Sequence, residues 1–398
     1  MTLSFTPLRG ILVFLLLSSF CAEPNGVDIS GGTRDYATTL FGELAVDFDS
    51  DEVGCADPAG PVDVYTWRLV GYGSNINVMM LPWVNAILNG RKDLALLLVN
   101  DRWPNAQREA FDQVQCLEES NGVEAIGGIT CLFTPMPHVC IFRTLKDWES
   151  FMDRRNLPTA EKESALRRRD VKSDREMIAA IGDGLQGSGM DILGAKAAVL
   201  KYLHSHLQPW IMRDVQSVLD EPAIATLRDG PYVSIHVRRG DKLIKEAKAH
   251  QVQEYLGMAS AYIYNSTEAT TSVNDVKGIW VSSDDEESVS AIKQSLLDYF
   301  PNVQPENVVW VSGRAFQTTA ASEGALPTMA NVMEYRSYVI LLAELEMMSQ
   351  ANVFVGTFTS NVARLIMLMR EAKGMQRSST LSVDRPKWFP ARRNLMIG

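Results

Sequence analysis

The stretch that most limits the fold is Pro231–His250, PYVSIHVRRGDKLIKEAKAH. Tyr232–Val237 is a short run rich in β-branched residues, the composition of a strand buried on both faces of a parallel sheet. The chain then turns abruptly polar with Arg238, Arg239, Asp241 and Lys242. In open α/β sheets ligands bind in the crevice beyond the carboxyl ends of the strands, so these four side chains are expected at its mouth.

The residues that follow repeat the theme. Strands are expected at Ile279–Ser282, Val308–Val311 and Val353–Val355, with helices at Glu286–Leu297, Tyr335–Gln350 and Asn361–Ala372. Strands alternating with helices give an α/β fold with a Rossmann-type parallel sheet. Two further strand ends carry polar groups: Ser282, Ser283, Asp284 and Asp285 after one, and the small polar run from Gly356 to Asn361 after another, a helix start suited to an anion.

The amino-terminal half also begins as strand, helix, strand, with Val62–Leu69, a glycine turn at Gly71–Ser74, a helix over Ile76–Leu88 and a strand at Leu94–Val99. A tight turn is the plain reading of Gly71–Ser74, because it is not a full phosphate-binding fingerprint. The triple arginine Arg167, Arg168 and Arg169 sits in a highly charged region and reads as solvated surface. Five glycines between Gly182 and Gly194 suggest a loop or hinge, and Ala195–Leu219 is helical in composition but interrupted by Pro209. The expected organisation is a signal or anchor over residues 1–22, a stem over 23–60, an amino-terminal α/β half over 61–220 and a Rossmann-type half over 221–398.

At 398 residues and 46% hydrophobic content, the chain can bury a core large enough for two globular units. A net charge of -10 disfavours nucleic acid as the partner but leaves room for a local basic pocket. The apolar run Ile11–Phe20 is shorter than the ~20 residues a spanning helix needs and suits a secretory signal or a short membrane anchor. Either places the catalytic part in the lumen of the secretory route. With Cys21 removed, Cys55, Cys116, Cys131 and Cys140 remain, an even set compatible with two disulfides. The close pair Cys131 and Cys140 would staple a loop and leave Cys55 with Cys116; free buried thiols are the alternative. Asn265-Ser266-Thr267 is a glycosylation sequon.

Adjacent arginines at a strand end can grip a diphosphate through bidentate, charge-assisted bonds, or stand as a surface pair bridged to Asp241. Asp284 and Asp285 could ligate a cation, although a helix cap is the simpler use. Glu246 could be a general base or a solvated residue beside Lys245 and Lys248.

The segment HVRRGDKLIKEAKAH resembles the HVRRTDK signature of the α-1,6-fucosyltransferases, with Glu246 and His250 at the family's spacing. KYLHSHLQPW, WVSSDDEES and SQANVFVGTFTSNVAR resemble further blocks of that family in the same order, and the turn at Gly71 resembles its amino-terminal half. The resemblance implies a two-domain, GT-B-like glycosyltransferase of the Golgi that uses GDP-fucose without a metal. It would place Arg238 and Arg239 on the diphosphate with help from Ser360, and His236 and Glu344 on the guanine side. Asp241, Asp284, Asp285 and Asn361 fall on positions of the family pattern. Lys242 and Glu246 would face the acceptor, with Glu246 as base. The chain departs from the pattern at Gly240 for threonine, Glu344 for aspartate, Asn361 for glutamine and Gly356 for cysteine. The family's long helical stem and carboxy-terminal small barrel, parts that help read the acceptor, are expected to be absent.

Overall fold

The computed structural model describes residues 63–66, most of 76–85 and 88, 94–97, 139–142, 182–185, 191–239, 249–311 and 335–384. The first described element, β1 (Asp63–Thr66), pairs in parallel with β2 (Leu94–Leu97), which pairs in parallel with β3 (Val139–Phe142). The described residues between Ile76 and Leu88 are helical, and Ile76, Met79, Met80, Trp83 and Val84 are buried. β1 and β2 match the expected strands; β3 was not foreseen.

The expected loop ends at Asp191, whose carboxylate caps α1 (Ile192–Ser205) by accepting from the Gly194 amide at 2.8 Å. The helical stretch with a proline resolves into two helices. Pro209 opens α2 (Pro209–Leu219), where its fixed φ and missing N–H cost nothing. A second proline opens α3 (Pro222–Arg228) in the same way.

A five-stranded, all-parallel sheet follows. It comprises β4 (Tyr232–Val237), β5 (Gly278–Ser283), β6 (Val308–Val309), β7 (Val353–Gly356) and β8 (Thr380–Ser382). The connecting helices are α4 (Val252–Asn265), α5 (Glu286–Tyr299), α6 (Tyr335–Gln350) and α7 (Asn361–Ala372). The spatial order is β6-β5-β4-β7-β8. The chain thus builds outward from β4 on one side, returns, and builds outward through β7 on the other. The carboxyl ends of β4 and β7 therefore flank the topological switch point, where α/β sheets open a ligand crevice.

Alternation along β4 divides the core into two layers. Val233, Ile235 and Val237 join the layer with α4 and α5, together with Tyr255, Ile292, Phe300 and Val355. Tyr232 belongs to the other layer with Trp280, Phe354 and residues of α1, α2, α6 and α7. Every residue of β4 and β5 is buried, including the polar Ser234, His236, Ser282 and Ser283. Ile76, Met79, Met80, Trp83 and Val84 join the same layer, and Asn77 donates to the Asn361 carbonyl at 2.9 Å.

Arg370 fastens α7 beneath this sheet. It is 1% exposed and donates to the Ala351 carbonyl at 2.5 Å, the Ser379 hydroxyl at 2.6 Å and the Thr380 hydroxyl at 2.8 Å. Burial lowers its pKa to about 10, so the guanidinium stays charged and its cost is met by oxygen acceptors.

Candidate active site

Parallel register sets the site. Val237 lies opposite Ser283, so Arg238 and Arg239 leave β4 beside the point where Asp284 and Asp285 leave β5. Arg238 Nη1 donates to Asp284 Oδ2 at 2.5 Å, and the Arg239 amide donates to Asp284 Oδ1 at 2.9 Å. Asp284, 46 residues away, is thus a partner of Arg238 among the described residues, whereas Asp241, the partner the sequence offered, lies outside them. The Arg238 side chain is 28% exposed against 8% for Asp284, so the carboxylate is the buried anchor and the guanidinium the accessible head.

Arg239 is held differently. Its Nε donates to the Ser288 hydroxyl at 3.2 Å and its Nη2 to the His250 carbonyl at 2.7 Å. Ser288 in turn donates to Asp285 Oδ2 at 2.5 Å, while its amide donates to the same carboxylate at 3.0 Å, the N-cap of α5. Each aspartate thus serves one arginine, Asp284 directly and Asp285 through Ser288. The helix-cap reading of Asp285 holds. Because His250 lies eleven residues beyond Arg239, this guanidinium also ties together the two ends of the intervening segment. Asp241, Lys242 and Glu246 belong to that segment and lie outside the described residues.

His236 and Ser282 face each other across β4 and β5 on the α6 side, and Ser282 donates to Glu344 Oε2 at 3.1 Å. His236 is 4% exposed and Glu344 2%. His236 Nδ1 is buried without a hydrogen-bond partner. Burial first, and the Arg238 charge second, lower its pKa to about 3, so the ring is neutral near pH 7 with an open ring nitrogen.

The segment after β7 completes the cluster. Ser360 is buried at the N-cap of α7, yet its hydroxyl makes no capping bond. The Ser360 amide donates to the Thr357 carbonyl at 2.9 Å, closing a tight turn. Asn361 accepts at its side-chain oxygen from Arg364 at 3.3 Å. In the turn ahead of this helix start, Asp384 accepts from the amides of Phe358 and Thr359. Nothing in sequence marked Asp384 or Ser288; each is an isolated small polar residue whose partner is set by packing.

Residues 197–384 match the family model described as alpha-(1,6)-fucosyltransferase N- and catalytic domains. Over that span the chain is similar to the catalytic domain of the α-1,6-fucosyltransferases. The protein is accordingly a glycosyltransferase of fucosyltransferase type. Similar solved structures include the fucosyltransferase NodZ from Bradyrhizobium, at 12% identity over 78% of this chain and 90% of that one, TM-score 0.36. A mutant of Arabidopsis thaliana FUT1 in complex with GDP is also similar, at 13% identity over 90% of this chain and 76% of that one, TM-score 0.39. The fucosyltransferase domain matched by the family model begins inside α1 and ends at Asp384, taking in all the described site residues.

The remaining sequence expectations fall elsewhere. Asn265 is the exposed last residue of α4, where the sequence suggested a loop. Cys140 lies in β3, while Cys55, Cys116 and Cys131 lie outside the described residues, as do the cysteine pairings. The apolar run Ile11–Phe20 is also outside them. Among the described residues no helix is long and apolar enough to cross a membrane.

Proposed function

We propose that the fucosyltransferase domain transfers fucose from GDP-fucose to the 6-hydroxyl of an N-acetylglucosamine unit of the N-glycan core, with inversion and without a metal. The observation that carries this reading is Arg238, an accessible guanidinium at the switch point with a buried Asp284 carboxylate behind it. Such a cation suits a diphosphate leaving group, because guanidinium forms charge-assisted bonds to phosphate oxygens and stabilises charge that develops as the bond breaks. Charge neutralisation by Arg238 is the work a divalent cation performs in metal-dependent transferases.

Beside it, His236 and Glu344 supply a ring nitrogen and a carboxylate suited to the guanine edge. Ser360 supplies a hydroxyl not spent on its own helix. Asp284 and Asp285 support the donor site through the arginines, and Asn361 through Arg364. Glu246 is our choice of base, with Lys242 and Asp241 beside it in the segment whose ends Arg239 ties. Glu246 takes the proton of the acceptor hydroxyl as that oxygen attacks the anomeric carbon. The bond from that carbon to the β-phosphate oxygen breaks, and GDP departs with the electron pair. The amino-terminal apolar run supports a place in the Golgi lumen, with Cys55, Cys116, Cys131 and Cys140 oxidised there and Asn265 glycosylated.

The test is an acceptor screen. Purified full chain with GDP-fucose and EDTA should fucosylate an N-glycan bearing terminal N-acetylglucosamine, and linkage analysis of the product should show the 6-position. Transfer only to a protein hydroxyl or another oligosaccharide would replace the acceptor assignment. No GDP release with any acceptor, together with no GDP binding, would refute the transferase mechanism and leave a catalytically silent glycan-binding protein.

A further inference from the structure

We propose that Asp384 is the positioning residue of the donor loop between β7 and α7, an internal anion that shapes the loop just ahead of Ser360. This rests on the donor-site reading above. The Asp384 carboxylate accepts from the Phe358 amide at 2.8 Å and the Thr359 amide at 3.0 Å. It also accepts from the Thr359 hydroxyl at 2.6 Å and the Ser382 hydroxyl at 2.5 Å. A carboxylate has about four acceptor positions, and four donors converge on this one.

Two consequences follow for the donor. The amides of Phe358 and Thr359, in the turn just ahead of the N-cap Ser360, are occupied by a charge built into the chain. A phosphate cannot take them without displacing Asp384. The same clasp fixes the peptide just before Ser360, whose buried hydroxyl makes no capping bond.

The clasp persists across the physiological range. Burial favours the neutral acid, but hydrogen bonds from the Ser382 and Thr359 hydroxyls and the Thr359 and Phe358 amides outweigh it and lower the Asp384 pKa. A depressed folded-state pKa gives stability that is complete above the ordinary carboxylate range and lost only as pH falls through the lowered value.

Isothermal titration of GDP into the full chain, with steady-state kinetics for donor and acceptor, tests the proposal. Asp384→Asn keeps the shape but loses the charge and turns an NH2 toward the donors. Its GDP Kd and donor KM should rise about tenfold or more, with acceptor KM unchanged, as expected for lost charge-assisted bonds. Thr359→Val removes one donor and should raise both about threefold, which decides the matter should Asp384→Asn fail to fold. GDP affinity and donor KM equal to wild type in either folded variant would overturn the proposal, as would a lower melting temperature with unchanged KM. Absence of GDP binding by the wild-type chain would refute the donor-site reading itself.

Discussion

Asp284 holds Arg238 with one carboxylate oxygen and the main chain of Arg239 with the other, at 2.5 Å and 2.9 Å. One buried acid thus fixes both the direction of a guanidinium and the path of the peptide that follows β4. Asp284→Ala leaves a partly buried cation without this partner and an amide without its acceptor. Unfolding free energy should fall by about 2 kcal/mol and GDP affinity by more than tenfold. Urea denaturation and calorimetry on the same preparation measure the two.

The two arginines should fail in different ways. Arg238→Ala removes the accessible head and leaves the buried Asp284 carboxylate without its ion partner, so it should abolish measurable GDP binding and lower the melting temperature by a few degrees. Arg239 bonds to Ser288 and the His250 carbonyl, so Arg239→Met should lower the melting temperature by several degrees, in keeping with the loss of two hydrogen bonds at about 1 kcal/mol each. Turnover should fall too, because the segment carrying Glu246 loses the tie between its ends. Differential scanning fluorimetry beside GDP titration separates the patterns; a stable Arg239→Met chain that cannot bind GDP would return Arg239 to the diphosphate.

Much of this arrangement is legible in the sequence. The strand over Tyr232–Val237 and the helices Tyr335–Gln350 and Asn361–Ala372 have the expected bounds, because burial on both sides of the sheet imposes long apolar signals. β6 was expected over four residues but pairs over two. Beyond Val309 the chain turns so that Trp310 donates its indole N–H to the Ser283 carbonyl at 3.2 Å. α4 and β8 were missed; the first contains Gly257 and small polar residues, and the second is three residues long. The pairing of Arg238 with Asp284 depends on strand register, which no local pattern encodes.

Protonation of His236 should make stability fall with acid. Its folded pKa, about 3, lies below the unfolded value of 6.5, so the unfolded chain binds the proton more readily. The stability from the neutral ring is complete above 6.5 and is lost as pH falls toward the folded value, about 2 kcal/mol of it by pH 5. Urea unfolding at pH 7 and pH 5 for wild type and His236→Asn should show this difference only in the wild type. Equal slopes would place His236 in a solvated environment.

Gly356 stands where the resembled family carries cysteine, and space explains the change. A Cβ there would lie 2.7 Å from the Phe354 ring and 3.2 Å from the Ala363 Cβ. Phe354 is fully buried and cannot swing away, so Gly356→Ala should cost about 1–3 kcal/mol by overpacking. Phe354→Leu in the same chain should recover part of that loss. Denaturation midpoints that do not couple would contradict this packing account.

The central claim is that the carboxyl edge of the parallel sheet holds the GDP moiety of the donor through Arg238. Calorimetric titration of GDP into the full chain in EDTA, beside Arg238→Ala, tests it most directly. The account predicts saturable one-to-one binding by the wild type and none measurable in a folded Arg238→Ala chain. Equal GDP affinity in the two proteins would contradict it.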